Sequence, residues 1–292
     1  MSTFIQVAVN GLGKGAVYAL LALGFVIIFK ASGVLNFAHG SLVLLGGYVA
    51  VRTQDHLHFL GSAILGIAAA ALGALIIERV LVARRPLADP ISLALLTIGV
   101  DVVMSEEIIR RLGIEIPFLG KPYDGKPVDI GSITLFRTQL IALGVGAVLV
   151  SAFFAAFRYT GWGVAMRAQA ENREAAALMG IRSGRVTAIA WVIGGVLAGV
   201  AVLFLATQDF SGAGLSRSTH AVALVAFPAA IIGGLDSTGG AIVGGAIVGL
   251  TESMSAQYIS YDFSKIAVYV VMLAVLIVAP AGLFGTRERT RV

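Results

Sequence analysis

Nine apolar segments, each close to the ~20 residues that an α-helix needs to cross a bilayer, occupy most of this 292-residue chain. In chain order they are Phe4–Phe29, Val34–Val51, Phe59–Ala83, Ile91–Leu112, Ile133–Phe157, Val186–Thr207, Thr219–Leu235, Gly240–Gln257 and Ile266–Phe284. Charged residues make up 13% of the sequence, against about 25% in soluble domains. The sequence therefore predicts an all-α polytopic membrane protein with about eight to ten transmembrane helices, nine being the best count.

The chain is predicted to form a single domain, 1–292, with two longer polar loops. Gly113–Gly131 contains three prolines, which bar a continuous helix, and is predicted to be external. Tyr159–Arg185 is rich in arginine and is predicted to be cytoplasmic. With that loop inside, 12 Lys and Arg residues lie on the cytoplasmic side and 8 outside, as the positive-inside rule requires. Nine spans then place the N-terminus outside and the C-terminus in the cytoplasm.

The second and seventh segments each contain a disruption followed by a pair of glycines. His39-Gly40 precedes Gly46-Gly47, and Pro228 precedes Gly233-Gly234. Broken helices that run in opposite directions are typical of transporters with inverted repeats, whose substrate paths lie at the breaks. The pattern predicts an inverted repeat in which the second and seventh segments are broken.

Polar residues near these breaks are candidates for a translocation path, because an ionisable side chain inside a membrane is costly and is usually functional. Asp101 lies one turn after Thr97 without a local partner, so it either lines a path or meets a neighbouring helix. His39 either lines the path or is a packing histidine with satisfied hydrogen bonds. The predicted path residues are Asn36, His39, Gly40, Thr97, Asp101 and Pro228.

Glutamates near the end of the fourth segment are predicted to be structural. Glu106 and Glu107 each have an arginine four residues on, Arg110 and Arg111, with which they can pair along the helix. Glu252, in the eighth segment, is a further ionisable residue inside the predicted membrane region.

Catalytic and cofactor motifs are absent from the sequence. It contains no HExxH, no GxSxG and no cysteine, so neither a metal centre, a serine nucleophile nor thiol chemistry is predicted. Gly11–Gly15 (GLGKG) lacks the GxxxxGK[ST] spacing of a phosphate loop, and its glycines four apart are better explained by close helix packing. The net charge of +5 fits basic cytoplasmic loops and does not indicate nucleic acid.

The arginine-rich loop contains a predicted short helix, Glu171–Ile181. Its residues are strong helix formers, Asn172 can cap its start, and Gly180 stands where a helix would end. An exposed apolar ridge is predicted from Ala176, Leu178, Met179 and Ile181. Such a helix either lies on the membrane surface or is presented to a soluble partner.

Four motifs resemble a known family. Glu174-Ala175-Ala176 followed by Gly180 matches the EAA-x₃-Gly core of the cytoplasmic loop in permeases of ABC importers. More specifically, NREAAALMGI, GVLNFAHGSLVLLGGY, AAIIGGLDSTGGAIVGG and PAGLFG resemble the branched-chain amino acid permeases of the LivH type. The resemblance covers nearly the whole chain, with the motifs in the same order.

The resemblance implies an inner-membrane permease that forms half of a translocation path. Its partners would be a second, related permease (a heterodimer rather than a homodimer), two cytoplasmic ATPases and a periplasmic solute-binding protein. ATP and Mg would be bound by the ATPases, so this chain would be no enzyme and would bind no cofactor. The implied ATPase-coupling residues are Arg173, Glu174, Ala175, Ala176, Met179 and Gly180.

Two alternatives stay open. An ABC permease for urea, amides or sugars would have a similar transmembrane region. A carrier of another class, an ion-coupled secondary transporter, would use Asp101, Glu252 and His39 as proton or cation sites.

Overall fold

The computed structural model describes residues 2–84, 89–114, 116–120, 127–130, 133–211 and 214–286. Some basic residues and one proline of the predicted loops lie outside these ranges, as does most of the basic tail: Arg85, Lys121, Pro122, Lys126, Arg287, Arg289 and Arg291. Each of the nine predicted apolar segments contains one long helix.

The helices are α1 (Ser2–Ser32), α2 (His39–Thr53), α3 (Phe59–Ile77), which continues as a π-helical turn (Glu78–Val82), α4 (Pro90–Leu112), α5 (Arg137–Tyr159), α6 (Gly161–Glu171), α7 (Arg173–Leu178), α8 (Ser183–Leu205), α9 (Gln208–Ser211), α10 (Arg217–Gly233), α11 (Thr238–Tyr258) and α12 (Tyr261–Val278). Two short strands, β1 (Val128–Ile130) and β2 (Ile133–Leu135), pair antiparallel. The fifth segment was predicted to begin at Ile133, but its helix begins at Arg137, because the preceding residues pair as a strand.

Five helices of the described ranges are long and apolar enough to cross a membrane: α1, α3 with its π-helical turn, α5, α8 and α12. Helix α10 is a shorter apolar helix. The chain is therefore a helical, polytopic membrane protein.

The loops between the long helices gather at two opposite ends. At one end, called the β-strand end, the Leu119 amide donates to Ala206 O at 3.0 Å and the Leu215 amide donates to Pro117 O at 2.9 Å. At the other, called the α7 end, Lys30 Nζ donates to Asp236 O at 2.9 Å. Successive long helices thus connect the two ends in alternation.

Glycines allow α1 and α11 to pack backbone against backbone. A Cβ added at Gly15 would lie 3.0 Å from Gly245 O, and one added at Gly245 would lie 2.5 to 2.7 Å from three atoms of Ala19. Gly11 meets Gly249 in the same way one turn earlier. The predicted packing role of Gly11 and Gly15 is confirmed: small residues let membrane helices approach closely.

Helix α2 begins inside the protein. Helix α1 ends at Ser32, Gly33 turns the chain with a φ of +70°, and residues 33–38 are not helical. The His39 ring lies against Gly24, which is eight residues, or about 12 Å, before the end of α1. The second segment is therefore interrupted as predicted, but the non-helical residues precede His39-Gly40, which form the first turn of α2.

The predicted break in the seventh segment is wrong. Helix α10 is continuous from Arg217 to Gly233 and contains Pro228 in its interior. Proline removes one backbone donor without ending this helix, since neighbouring helices hold it on both sides. The predicted pair of broken helices therefore reduces to one, at the start of α2.

Candidate functional site

A buried polar cluster surrounds the N-terminus of α2. Asp101 of α4 accepts a hydrogen bond from the Ser41 amide at 2.9 Å, and its second oxygen lies 2.9 Å from His220 Nε2 of α10. Helix α2 has no side-chain cap of its own, so Asp101 satisfies one of its free amides and complements the positive end of the helix dipole. Of the two alternatives for Asp101, the structure shows partners on neighbouring elements.

Thr97 holds the segment before α2. Its hydroxyl accepts from the Phe37 amide at 3.1 Å, and its own hydrogen is within reach of Leu35 O at 3.2 Å and Ala94 O at 2.7 Å. Thr97 and Asp101, one turn apart on α4, therefore fix the non-helical segment and the first turn of α2 against the same helix.

Asn36 and His39 are buried, at 1% and 0% exposure, and among the described residues their side-chain polar atoms have no hydrogen-bond partner. The His39 ring packs 4.5 Å from the Phe25 ring. His39 is thus a packing residue, but its hydrogen bonds are not satisfied as the packing alternative predicted. An unpaired buried polar group costs about 1–3 kcal/mol, and such groups are often functional.

The other two predicted path residues lie on either side of this cluster. A Cβ added at Gly40 would lie 2.9 Å from the His220 ring, so only glycine allows this approach. Pro228 is buried in α10, and its neighbour Phe227 packs against Phe25 and Phe37 at 5.6 and 5.3 Å. The structure brings Asn36, His39, Gly40, Thr97 and Asp101 together, whereas Pro228 is buried in α10 next to Phe227.

The two glutamates near the end of α4 form ion pairs. Glu107 pairs with Arg110 at 2.8 Å and Arg111 at 2.6 Å, as predicted. The predicted local partner of Glu106 is wrong, because Glu106 pairs with Arg217 of α10.

Glu252 joins α11 to α1. Its carboxylate lies 2.9 Å from Lys14 Nζ and accepts a hydrogen bond from the Tyr18 hydroxyl. Because both partners are on α1, these contacts reinforce the glycine-lined packing of the two helices.

Helix α7 is shorter than predicted. Asn172 has extended backbone, with a φ of −154° and ψ of 105°, which ends α6 and separates it from α7. The Asn172 side chain then caps α7 by accepting from the Ala175 amide at 2.9 Å, as predicted. The predicted helix Glu171–Ile181 therefore reduces to α7, because Glu171 is the last residue of α6 and the residues after Leu178 form a turn.

The end of α7 is fixed by a Schellman motif. Gly180 has a φ of +83°, its amide donates to Ala177 O, and the Ile181 amide donates to Ala176 O, both at 3.0 Å. Gly180 thus ends the helix as predicted.

Most of α7 faces away from the protein. Arg173, Glu174 and Ala175 are exposed, and Leu178 and Met179 are 89% and 84% exposed. Ala176 is the exception at 4% exposure. Its predicted place in the exposed ridge is wrong, because it forms the side of α7 that packs on the protein.

A cavity of about 1140 Å³ lies beside α6 and α7, at the α7 end of the molecule. Its wall includes the last residues of α1, Gln169 of α6 and Arg173 of α7, with Ile231 and Pro280 opposite. The two short helices therefore border an open space that reaches the end of α1.

Two residues of these sites, His220 and Gln169, were not predicted from the sequence. His220 lies in the first turn of α10, so the rule on ionisable residues in apolar segments could have found it. Gln169 is buried at 5% exposure within a polar stretch, and no local pattern distinguishes it from its exposed neighbours.

Comparison with known proteins identifies the family. A family model described as branched-chain amino acid transport system / permease component matches residues 7–280. The high-affinity branched-chain amino acid transport system permease protein LivH of Salmonella typhimurium is 32% identical over 99% of this chain and 98% of its own length. The corresponding permease protein BraD of Pseudomonas aeruginosa is 28% identical, with the same coverage.

A solved structure shows the same fold. PsaBC from Streptococcus pneumoniae in complex with Fab matches 95% of this chain and 92% of its own, with a TM-score of 0.52 and 14% sequence identity. The family model and the relatives in sequence establish that the chain belongs to the family of permease components of branched-chain amino acid transport systems.

Proposed function

We propose that this chain is the permease subunit of an ATP-driven importer for branched-chain or related amino acids, and that α7 couples it to a cytoplasmic ATPase. The observation that carries the proposal is the exposure of α7. A six-residue helix, capped at both ends, presents Leu178 and Met179 to solvent while only Ala176 packs inward. Large exposed apolar side chains rimmed by charges are typical of a protein–protein contact.

The names of the relatives support the proposed substrate class and the proposed role as a permease subunit. Each is a permease protein of a high-affinity branched-chain amino acid transport system. We infer that the other components are a second related permease, two ATPases that bind ATP and Mg, and a periplasmic solute-binding protein. Arg173, Glu174, Ala175, Met179 and Gly180 would contact the ATPase, and Ala176 would seat α7 on the permease.

The translocation path is proposed to pass the N-terminus of α2. The unpaired Asn36 and His39 side chains, the Asp101–His220 pair and the non-helical segment concentrate polar groups inside an otherwise apolar body. Irregular backbone at membrane depth is tolerated where it is buried or lines a cavity, as in transporters with broken helices. Relative motion of α2 and α10 would expose these groups to solute and water.

The proposal is tested by reconstituting the permease with its ATPases, partner permease and binding protein in liposomes. We expect uptake of labelled leucine, isoleucine or valine that requires ATP and is unaffected by collapse of the proton gradient. Among the described residues, the Asp101–His220 pair is a feature that favours an ion-coupled carrier. Uptake driven by a proton gradient without ATP would establish that carrier instead. Uptake of urea or a sugar, but not of these amino acids, would assign another substrate.

The proposed topology has nine traversals of the inner membrane, with the N-terminus and the loop 113–131 outside and the loop 159–185 and C-terminus in the cytoplasm. The chain has no cysteine, so labelling of a single introduced cysteine reports the accessibility of that position alone. Gly184, at the α7 end, and Tyr258, at the β-strand end, are both exposed. We expect an impermeant maleimide to label Tyr258→Cys in intact cells and Gly184→Cys only after lysis. The reverse labelling pattern would show that the topology is inverted. Helix α7 would then face outward, where it could not contact a cytoplasmic ATPase.

A further inference from the structure

A second buried polar contact connects α6 to the end of α1. Gln169 Nε2 donates to Ala31 O at 2.5 Å and lies 3.3 Å from Thr187 Oγ1 of α8. The Thr187 hydroxyl is in turn 3.3 Å from Ala31 O. Three segments that are distant in sequence therefore meet at a single backbone carbonyl.

That carbonyl has no partner within its own helix. Ala31 lies in the last turn of α1, where carbonyls lack the amide four residues on. Two earlier carbonyls near the end of α1 are satisfied locally, since the Gly33 amide donates to Phe29 O and the Ser32 hydroxyl donates to Ile28 O, both at 2.7 Å. The carbonyl of Ala31 instead accepts from side chains of α6 and α8.

Packing alone does not account for a glutamine here. Its Nε2 is bound, but its Oε1 is buried without a hydrogen-bond partner among the described residues. A carbonyl can only accept, so the amide must direct Nε2 toward Ala31 and leave the oxygen unpaired. The hydrogen bond to Ala31 O is therefore made although it leaves a buried acceptor of the glutamine unpaired, which is unfavourable.

The contact lies between the two candidate sites. One residue, Asn172, separates α6 from α7, and α6 is also held to α8 by a hydrogen bond from Trp162 Nε1 to Val186 O at 3.2 Å. In the other direction, Ala31 is five residues before Asn36, in the segment that leads to α2. The chain at Asn172 and the hydrogen bond from Gln169 thus connect α7, through α6, to the end of α1 and the break before α2.

We propose that Gln169 is the positioning residue that transmits movement of the coupling helix to the α1–α2 break. The inference rests on the proposed function and adds to it the route by which the ATPase moves the path. Gln169 contacts neither the ATPase surface nor the polar cluster around Asp101. Its removal should therefore separate ATP hydrolysis from transport, with both sites intact.

The test compares Gln169→Met with the wild type in the reconstituted complex. Methionine keeps the length and removes the donor. We expect ATP hydrolysis close to that of the wild type and leucine uptake reduced at least about fivefold, the lower limit of typical coupling effects. The ATP hydrolysed per leucine transported should rise by the same factor. An unchanged ratio, or a parallel loss of both activities, would overturn the inference.

Thr187 gives an independent pair of variants if Gln169→Met does not accumulate in the membrane. Thr187→Val removes the hydroxyl at the same shape, and Thr187→Ser retains it. We expect a raised ratio of ATP to leucine for valine and a normal ratio for serine. Equal ratios in the two would contradict the inference. A wild-type complex that takes up no leucine with ATP would instead overturn the proposed function, and the inference with it.

Discussion

Replacement of Glu174 by arginine is expected to abolish ATP-driven uptake while the protein still accumulates in the membrane. Glu174 is exposed in the first turn of α7, so its charge contributes only about 0.3–1 kcal/mol to that helix through the dipole. In a contact with a partner, a charge of the wrong sign costs several kcal/mol. The predicted loss is therefore of coupling and not of folding. It is measured as leucine uptake and as ATPase co-purification with the permease.

Asp262→Arg is the matched control. Asp262 is an exposed acid at the second position of α12, as Glu174 is at the second position of α7. Each lies two residues after the residue whose side chain caps the helix. In the proposed topology α12 begins outside the cell, so its reversed charge cannot meet an ATPase. Uptake at the wild-type rate is expected for this control. Equal uptake in Glu174→Arg and wild type would exclude α7 as the coupling element.

Substitution of Gly245 by valine is expected to prevent α1 and α11 from packing. The first added carbon would lie 2.5 to 2.7 Å from the backbone nitrogen, Cα and Cβ of Ala19, and valine adds two further methyl groups. Because backbone atoms of a buried helix cannot rotate away, the cost should reach or exceed the upper end of the ~1–3 kcal/mol typical of overpacking. We expect little folded protein in the membrane and a lower midpoint of thermal aggregation in mild detergent.

Gly99→Val controls for the loss of a glycine from an apolar helix. Gly99 is in α4, is exposed, and has nothing within 4 Å of an added Cβ. This variant should accumulate and melt as the wild type does. If Gly245→Val behaved in the same way, the close approach of α1 and α11 would be wrong.

The sequence predicted the elements that depend on local chemistry. Four such features were predicted from the sequence: the nine apolar segments, the cap at Asn172, the end at Gly180 and the break near His39. Each follows from hydropathy or from the backbone preferences of a few neighbouring residues. The family resemblance was carried by such local motifs as well, and it was confirmed over residues 7–280.

Contacts between segments that are distant in the chain were not predicted from the sequence. Asp101 meets His220, which is 119 residues away, and Glu106 meets Arg217, which is 111 residues away, although Glu106 has arginines much closer in the chain. The inward face of Ala176 and the continuity of α10 through Pro228 also depend on neighbouring helices. Such choices are set by tertiary packing, which a single sequence does not specify.

The caps at both ends of α7 have a consequence for how the transporter assembles. Isolated helices of six residues do not form in water, because nucleation is unfavourable. Here Asn172 and the turn at Gly180 fix the shape before any partner arrives, so docking requires little ordering of the chain. Assembly of permease and ATPase should then proceed at rates typical of rigid surfaces, about 10⁵–10⁷ M⁻¹ s⁻¹, without a slow folding step.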